Sequence, residues 1–292
     1  MRSFANQIKY RLLCMSMLLI TSVPTFAEKL TSIYFYNPEI NVSRNSTLKQ
    51  KLDNFLAQQG SYQFQPVTDR KIFSQLIETQ PQAVFIMSSW FYQTLTNKSD
   101  LTARLVGVKN NTPFFKKLLV IHQDHNQSNA ANLIIASTGA PSYSSSVLQN
   151  ILKTSSSASP DILKSSQILH VPKDLDALLS VGFGMAQAAL STEDSLNQLK
   201  RFYSNQHQKL KILGSSTPLM RALVVTPREA SEQVDQLIEK LEHMEQHQAG
   251  KISLSLIGLD RWMQFKDAVS LTQPVQQVTP RVIGKSQGGR KP

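Results

Sequence analysis

Residues 81–92 read PQAVFIMSSWFY, and this stretch decides the fold class. The apolar run at residues 83–87 is typical of a strand buried on both faces, as in a parallel sheet covered by helices. Ser88 and Ser89 follow at once, and serine is a favoured residue for capping the N-terminus of a helix. The stretch therefore predicts a buried strand that leads directly into a helix.

The segments before this stretch continue the alternation of strand and helix. Residues 32–36 and 62–67 are predicted strands, and residues 48–56 and 70–77 carry apolar side chains at helical spacing. This order predicts a mostly parallel α/β sheet with helices on both faces.

Ligands of parallel sheets bind beyond the C-terminal ends of the strands. In this first unit those ends are Tyr36-Asn37 and Ser88-Ser89. These four residues are therefore the first candidate ligand contacts.

A second α/β unit begins near residue 118. A predicted strand at residues 133–136 leads into STGAPSYSSS at residues 137–146, which has six serine or threonine residues in ten positions. One helix cap needs one such residue, so the others point to a ligand site. The candidates are Ser137, Thr138, Ser142, Tyr143, Ser144 and Ser145.

The two ends of the chain lie outside the predicted fold. Basic residues, an apolar run at residues 12–23 and a small residue, Ala27, form the pattern of a signal peptide cleaved after Ala27, with an N-terminal membrane anchor as the alternative. The only cysteine, Cys14, lies inside that run, so we expect no disulfide and no cysteine-bound metal. Residues 271–292 are polar and basic and predict a disordered tail.

The charge of the chain argues against a nucleic-acid partner. Of the net charge of +11, three charges lie in the predicted signal peptide and four in the tail, which leaves +4 on residues 28–270. A nucleic-acid-binding protein concentrates positive charge on its folded surface. The remaining excess suits a small anionic ligand.

Four stretches give the chain a likeness to a known family. LKQKLDNFLAQQGSYQF at 48–64, PVTDRKIFSQLIETQPQAVFIMSSWFY at 66–92, NNTPFFKKLLVIHQD at 110–124 and VPKDLDALLSVGFGMAQAALSTEDSL at 171–196 occur in a familiar order. The chain resembles the type II periplasmic binding proteins, in the branch that binds phosphonate, phosphite or phosphate for ABC importers.

The resemblance implies two lobes that are joined by a two-strand hinge and close on a ligand. Lobe 1 would comprise residues 28–117 and 208–270, and lobe 2 residues 118–207. It also implies a monomeric periplasmic protein, without catalysis or cofactor, that delivers a small anion to an importer permease.

The family's serine motif and acidic positions match only in part. Ser142 and Ser144 would fill its two serine positions, and Ser145 replaces a glycine. Gln82 and Gln187 stand where the family often has acids. The helix openings could bind an anion through backbone N–H groups and hydroxyls, while Tyr36, Trp90 or Tyr143 could cover an organic part.

Three other readings remain open. The chain could be a periplasmic sensory module that signals to a membrane partner. Ser46 and Lys49 match S-x-x-K, a signature of serine hydrolases, although the partner motifs are missing. Glu239, His243 and His247 are spaced to share a helix face and could bind zinc, as could His122, Asp124 and His125.

Overall fold

The structure is a computed structural model that describes residues 30–39, 45–124, 133–155 and 166–271. The chain divides into the units Met1–Leu30 and Thr31–Pro292, and the fold described below belongs to the second. The predicted signal peptide and the tail lie outside the described residues, apart from Leu271. None of the helices in the described ranges is long and apolar enough to cross a bilayer.

Two sheets and a short ribbon organise the chain. The strands are β1 (Thr31–Tyr36), β2 (Tyr62–Pro66), β3 (Val84–Met87), β4 (Leu101–Val108), β5 (Phe114–Phe115), β6 (Lys117–His122), β7 (Ile134–Ser137), β8 (Gln167–His170), β9 (Ala188–Thr192), β10 (Leu210–Ser215), β11 (Leu219–Met220), β12 (Leu223–Pro227) and β13 (Arg261–Gln264). The helices are α1 (Asn45–Leu56), α2 (Arg70–Thr79), α3 (Ser89–Thr94), α4 (Pro141–Thr154), α5 (Asp174–Gly182), α6 (Glu193–Phe202), α7 (Ser204–His207), α8 (Glu232–Glu242), α9 (Gln248–Leu256) and α10 (Phe265–Ser270).

The first sheet has the order β13-β4-β12-β3-β1-β2. Strands β2, β1 and β3 are parallel, and β12 and β13 add antiparallel pairs. Each residue of β3 is buried because helices cover both faces. Val84 and Ile86 pack on the side of α1, α8 and α9, whereas Phe85 and Met87 pack on the side of α2 and α3.

The second sheet has the order β10-β6-β9-β7-β8. Strands β8, β7 and β9 are parallel, while β6 and β10 run antiparallel to their neighbours. Helix α4 covers one face, and α5 and α6 cover the other. This two-lobed α/β architecture confirms the predicted fold class.

The chain crosses between the two sheets twice. Strand β5 lies in the first crossing and β11 in the second, and the two pair antiparallel. Strand β10 pairs with β6, so residues 210–215 belong to the second sheet. We therefore propose that lobe 2 extends to Ser215, whereas the sequence placed its end at residue 207.

Gly250 gives a sharp test of packing in the first lobe. A Cβ atom at this position would lie 1.9 Å from the carbonyl oxygen of Met244. We expect Gly250→Ala to lower the free energy of unfolding by more than about 2 kcal/mol, although alanine favours helices. Urea unfolding measures this loss. The control Ser255→Ala, at an exposed position of the same helix, should change stability by less than about 0.5 kcal/mol. Equal stabilities would contradict the packing of α9.

Candidate functional site

The C-terminal ends of β1 and β3 lie at the edge of the first lobe that faces the second lobe. Ser88 is buried, and its hydroxyl caps α3 by accepting a hydrogen bond from Phe91 N at 3.1 Å. Ser89 donates to Met220 O in the crossing strand β11. Asn37 Oδ1 accepts from Glu39 N at 2.9 Å and thereby shapes the turn after β1. Both serines thus have structural partners.

Tyr36 belongs to the aromatic core of the first lobe. Its ring lies 5.3 Å from Phe73 and 4.9 Å from Phe91, and burial raises its pKa, with Arg70 opposing the shift. This predicted ligand contact is therefore packed largely against protein.

The serine-rich segment of the second lobe divides into inward and outward residues. The hydroxyls of Ser137 and Ser144 lie 2.8 Å apart, and Ser144 also donates to Gly139 O. Ser142 and Ser145 are exposed to solvent. The structure thus separates the two serines predicted to fill the family motif, Ser142 and Ser144.

The two lobes contact each other directly at these strand ends. Ala140 N donates to Pro38 O at 2.7 Å, and the Thr138 hydroxyl donates to Glu39 O at 3.1 Å. Trp90 Nε1 donates to Ser146 at 3.0 Å, and the Trp90 ring meets Tyr143 edge to face at 5.5 Å. The two lobes are therefore in direct contact at these strand ends.

A cavity of about 170 Å³ lies beside these contacts and next to the crossing strands. Asn37 is the predicted site residue that lines it. The other polar and aromatic lining residues were not predicted: Glu39, Lys109, Phe115, Lys117, Asp174, Thr192, Asp194, Ser195 and Arg221.

Two ion pairs occupy the cavity wall. Lys117 Nζ lies 2.9 Å from Asp174 Oδ1, and the lysine side chain is only 4% exposed. Arg221 lies 3.4 Å from Asp194 and stacks over Phe115 at 5.4 Å. Burial lowers the pKa of Arg221, and Asp194 opposes this shift. In each pair the acid neutralises the cation, so the four side chains can keep these positions without a ligand.

Lys109 and Glu39 are the remaining charged groups of the cavity. Lys109 forms no ion pair with any residue that the structure describes. Burial raises the pKa of Glu39 to about 7, while Lys117 lowers it and Asp174 raises it further. The cavity therefore gains positive charge when Glu39 takes up a proton.

Tyr143 carries a buried hydroxyl that has no hydrogen-bond partner within the described residues. Burial, Glu39 and Asp174 all raise its pKa, so the phenol is a neutral donor at physiological pH. Gly139 makes this position possible because a Cβ there would lie 2.4 Å from the tyrosine ring. A buried donor without a partner is costly, and such groups often contact ligands.

Asn37 and Ser88 were predicted because ligands bind beyond the C-terminal ends of parallel strands. The same rule also indicates some of the cavity residues that were not predicted. Asp174 opens the helix after β8, and Asp194 lies in the first turn after β9, so both follow strand ends. Glu39 follows β1 by three residues. Lys117 lies in the stretch at 110–124 that carries the family likeness, but neither Lys117 nor Arg221 was predicted as a site residue.

The alternative zinc site at Glu239, His243 and His247 is wrong. Helix α8 ends at Glu242, and His247 precedes the next helix, where its ring packs 5.7 Å from Phe55. No group of three potential metal ligands occurs in the described parts of the chain. His125 lies outside them.

Ser46 and Lys49, the two residues of the hydrolase motif, do not form a catalytic pair. Lys49 Nζ is held by Asp53 at 2.9 Å and by Phe64 O at 2.6 Å, and Ser46 is exposed on α1. The short motif is thus accounted for by helix structure.

The two hinged α/β lobes and the polar cavity between them define a binding protein of the periplasmic type. A family profile described as "ABC transporter, phosphonate, periplasmic substrate-binding protein" matches residues 33–269. The chain belongs to this family, which confirms the resemblance seen in the sequence. A comparison with curated protein sequences found no match.

Solved structures agree in fold. The binding component of an ABC phosphonate transporter from Pseudomonas aeruginosa matches with a TM-score of 0.58 at 14% identity, covering 83% of this chain and 85% of that one. PhnD1 from Prochlorococcus marinus, in complex with methylphosphonate, matches at 0.55 and 11% identity, over 83% and 96%. A Xanthomonas citri protein bound to ATP matches at 0.57 and 12% identity, over 80% and 90%.

Glu39 makes folding stability depend on pH. Its pKa rises from 4.5 to about 7 on folding, so between these values the folded chain holds a proton that the unfolded chain has released. Stability therefore falls as pH rises through this window, by up to about 3 kcal/mol above it. We expect Glu39→Gln to be more stable than the wild type near pH 8 and equal to it near pH 4.5.

Thermal and urea unfolding at both pH values measure this difference. Glu78→Gln, on the exposed face of α2, is the matched control and should show no such dependence. A Glu39→Gln difference that is the same at both pH values would show that the pKa of Glu39 is not raised in the folded chain.

Proposed function

We propose that the chain captures a small anionic solute, of the phosphonate or phosphate-ester class, between its two lobes and delivers it to the permease of an ABC importer. We further propose that it is exported by a signal peptide cleaved after Ala27 and acts as a monomer without catalysis. The family of the chain supports the proposed transport role, and the chemistry of the cavity supports the proposal that the ligand is an anion.

The proposal of an anionic ligand depends on one observation: hydrogen-bond donors at and near the cavity are left without partners among the described residues. The cations Lys117 and Arg221 are paired with acids, whereas Lys109, which lines the cavity, forms no ion pair within the described residues. Tyr143 does not line the cavity, but its buried hydroxyl has no partner among the described residues and lies close enough to Glu39 and Asp174 for both to raise its pKa. An anion could accept from both groups. Among the acids that line the cavity, Glu39 forms no ion pair with a residue that the structure describes, and uptake of a proton would neutralise its carboxylate.

The size of the cavity supports a small solute. Its volume of about 170 Å³ is well below the roughly 300–1,000 Å³ of pockets for drug-sized molecules. Methylphosphonate, which is bound in the Prochlorococcus relative, is therefore a sensible first probe. Phosphite and phosphate are the natural comparisons.

Tyr143→Phe tests the binding site. Removal of a hydroxyl without a partner should leave the melting temperature unchanged, but it should weaken binding of methylphosphonate about fivefold to tenfold by calorimetry. Tyr92→Phe removes a hydroxyl from a partly exposed tyrosine of α3 and should bind like the wild type. If both variants keep full affinity, Tyr143 is not a ligand contact.

A growth experiment tests the transport role. A strain that lacks the chain should grow poorly with methylphosphonate as the only phosphorus source and recover with the wild-type chain. Normal growth, together with measured binding in vitro, would contradict delivery to an importer and favour the sensory alternative.

A further inference from the structure

Four large apolar side chains lie exposed at one end of the second lobe. Phe183, Met185, Phe202 and Tyr203 are 61%, 59%, 62% and 46% exposed. We refer to these four residues as the distal face. Soluble proteins rarely leave several large apolar side chains together in water without a use for them.

The topology places the distal face opposite the cavity. Helix α5 begins with Asp174 at the cavity and ends just before Phe183 and Met185. Helix α6 likewise begins beside Thr192 and ends at Phe202. Both helices therefore run from the cavity to the far end of the lobe.

Contacts between the two turns join them into one surface. The side chain of Gln206 lies against Gly182, and Lys209 Nζ lies 3.5 Å from the Gly182 carbonyl oxygen. The Tyr203 carbonyl accepts from the backbone N–H groups of Gln206 and His207. The turn after α5 and the segment after α6 are thus neighbours.

The charge around the distal face has one dominant sign. Lys200 and Arg201 are exposed on the last turn of α6, Lys209 follows α7, and the Arg201 guanidinium lies 5.5 Å over the Phe202 ring. An acidic residue of the described turns at this end, Asp124, has its carboxylate 3.6 Å from the ring of His122. The surface is therefore basic as well as apolar.

We propose that the distal face binds the surface of a bilayer that contains anionic phospholipid. Exposed aromatic and methionine side chains enter the interface between headgroups and acyl chains, and neighbouring Lys and Arg attract anionic headgroups. Gly184, at φ +75°, forms the sharp turn from which Phe183 and Met185 project. An acidic protein partner that carries an apolar patch of its own is the other occupant this chemistry would suit, and in that case binding to vesicles is absent.

Vesicle co-sedimentation tests the proposal with the C-terminal tail retained in every variant. The wild type should bind vesicles with about one-third phosphatidylglycerol and bind pure phosphatidylcholine weakly. Phe183→Ser/Phe202→Ser should lower the partition coefficient about tenfold. Ile72→Ser/Ile252→Ser, which removes exposed apolar side chains from the first lobe, should have no effect.

A charge exchange tests the basic residues separately. Lys200→Glu/Arg201→Glu should abolish the preference for phosphatidylglycerol, while Lys71→Glu/Lys251→Glu makes the same change in net charge on the first lobe and should preserve most of it. Unchanged melting temperatures show that each variant is folded.

Three results would overturn the proposal. The wild type fails to bind phosphatidylglycerol vesicles, the distal-face variant binds as the wild type does, or the control variants lose as much binding. If the distal face instead joins two copies of the chain, vesicle binding is absent and Phe183→Ser/Phe202→Ser dissociates a dimer in sedimentation equilibrium.

Discussion

The buried ammonium of Lys117 is the constraint on which the region between the lobes depends. A cation with 4% of its side chain exposed needs close anionic and polar partners, because burial without them costs several kcal/mol. Asp174 supplies both carboxylate oxygens, at 2.9 and 3.1 Å. The position of α5 in the second lobe is thereby tied to the start of β6.

This pair also links the crossings to the strand ends. The backbone of Lys117 forms two hydrogen bonds with Ser216: its N–H donates to the serine hydroxyl, and its carbonyl accepts from the serine N–H. The Asp174 carbonyl accepts from Ser191 at the end of β9, and the Asp174 carboxylate lies 3.1 Å from the Thr138 hydroxyl. The same region therefore connects the second crossing, two strand ends and the contact with Glu39. The two crossings themselves pair with each other as the β5–β11 ribbon.

Local sequence patterns predicted the order of elements because burial imposes a period on each of them. The run at residues 83–87 is apolar since both faces of β3 are covered, and Ser88 caps the next helix as its position after the strand suggested. Apart from Asn37, the polar side chains that line the cavity escaped prediction because only the folded chain brings their segments together. Within the predicted serine-rich segment, packing also decides which side chains turn inward. Tyr143 and Ser144 turn inward, and Ser142 and Ser145 turn outward, only because α4 begins at Pro141 and packs on the second sheet through that face. The spacing of Glu239, His243 and His247 misled for a related reason, since nothing in the spacing reveals that α8 ends at Glu242.

Helices α5 and α6 carry two kinds of chemistry at their two ends. Acidic residues in their first turns, Asp174 and Asp194, suit the positive ends of the helix dipoles and hold the cations of the cavity. Their last turns lead to apolar and basic residues. Helices of nine and ten residues span only about 15 Å, so the cavity and the distal face are close in space yet open in opposite directions. Contact of the distal face with a membrane would therefore leave the cavity free to admit a solute and the first lobe free to close on it.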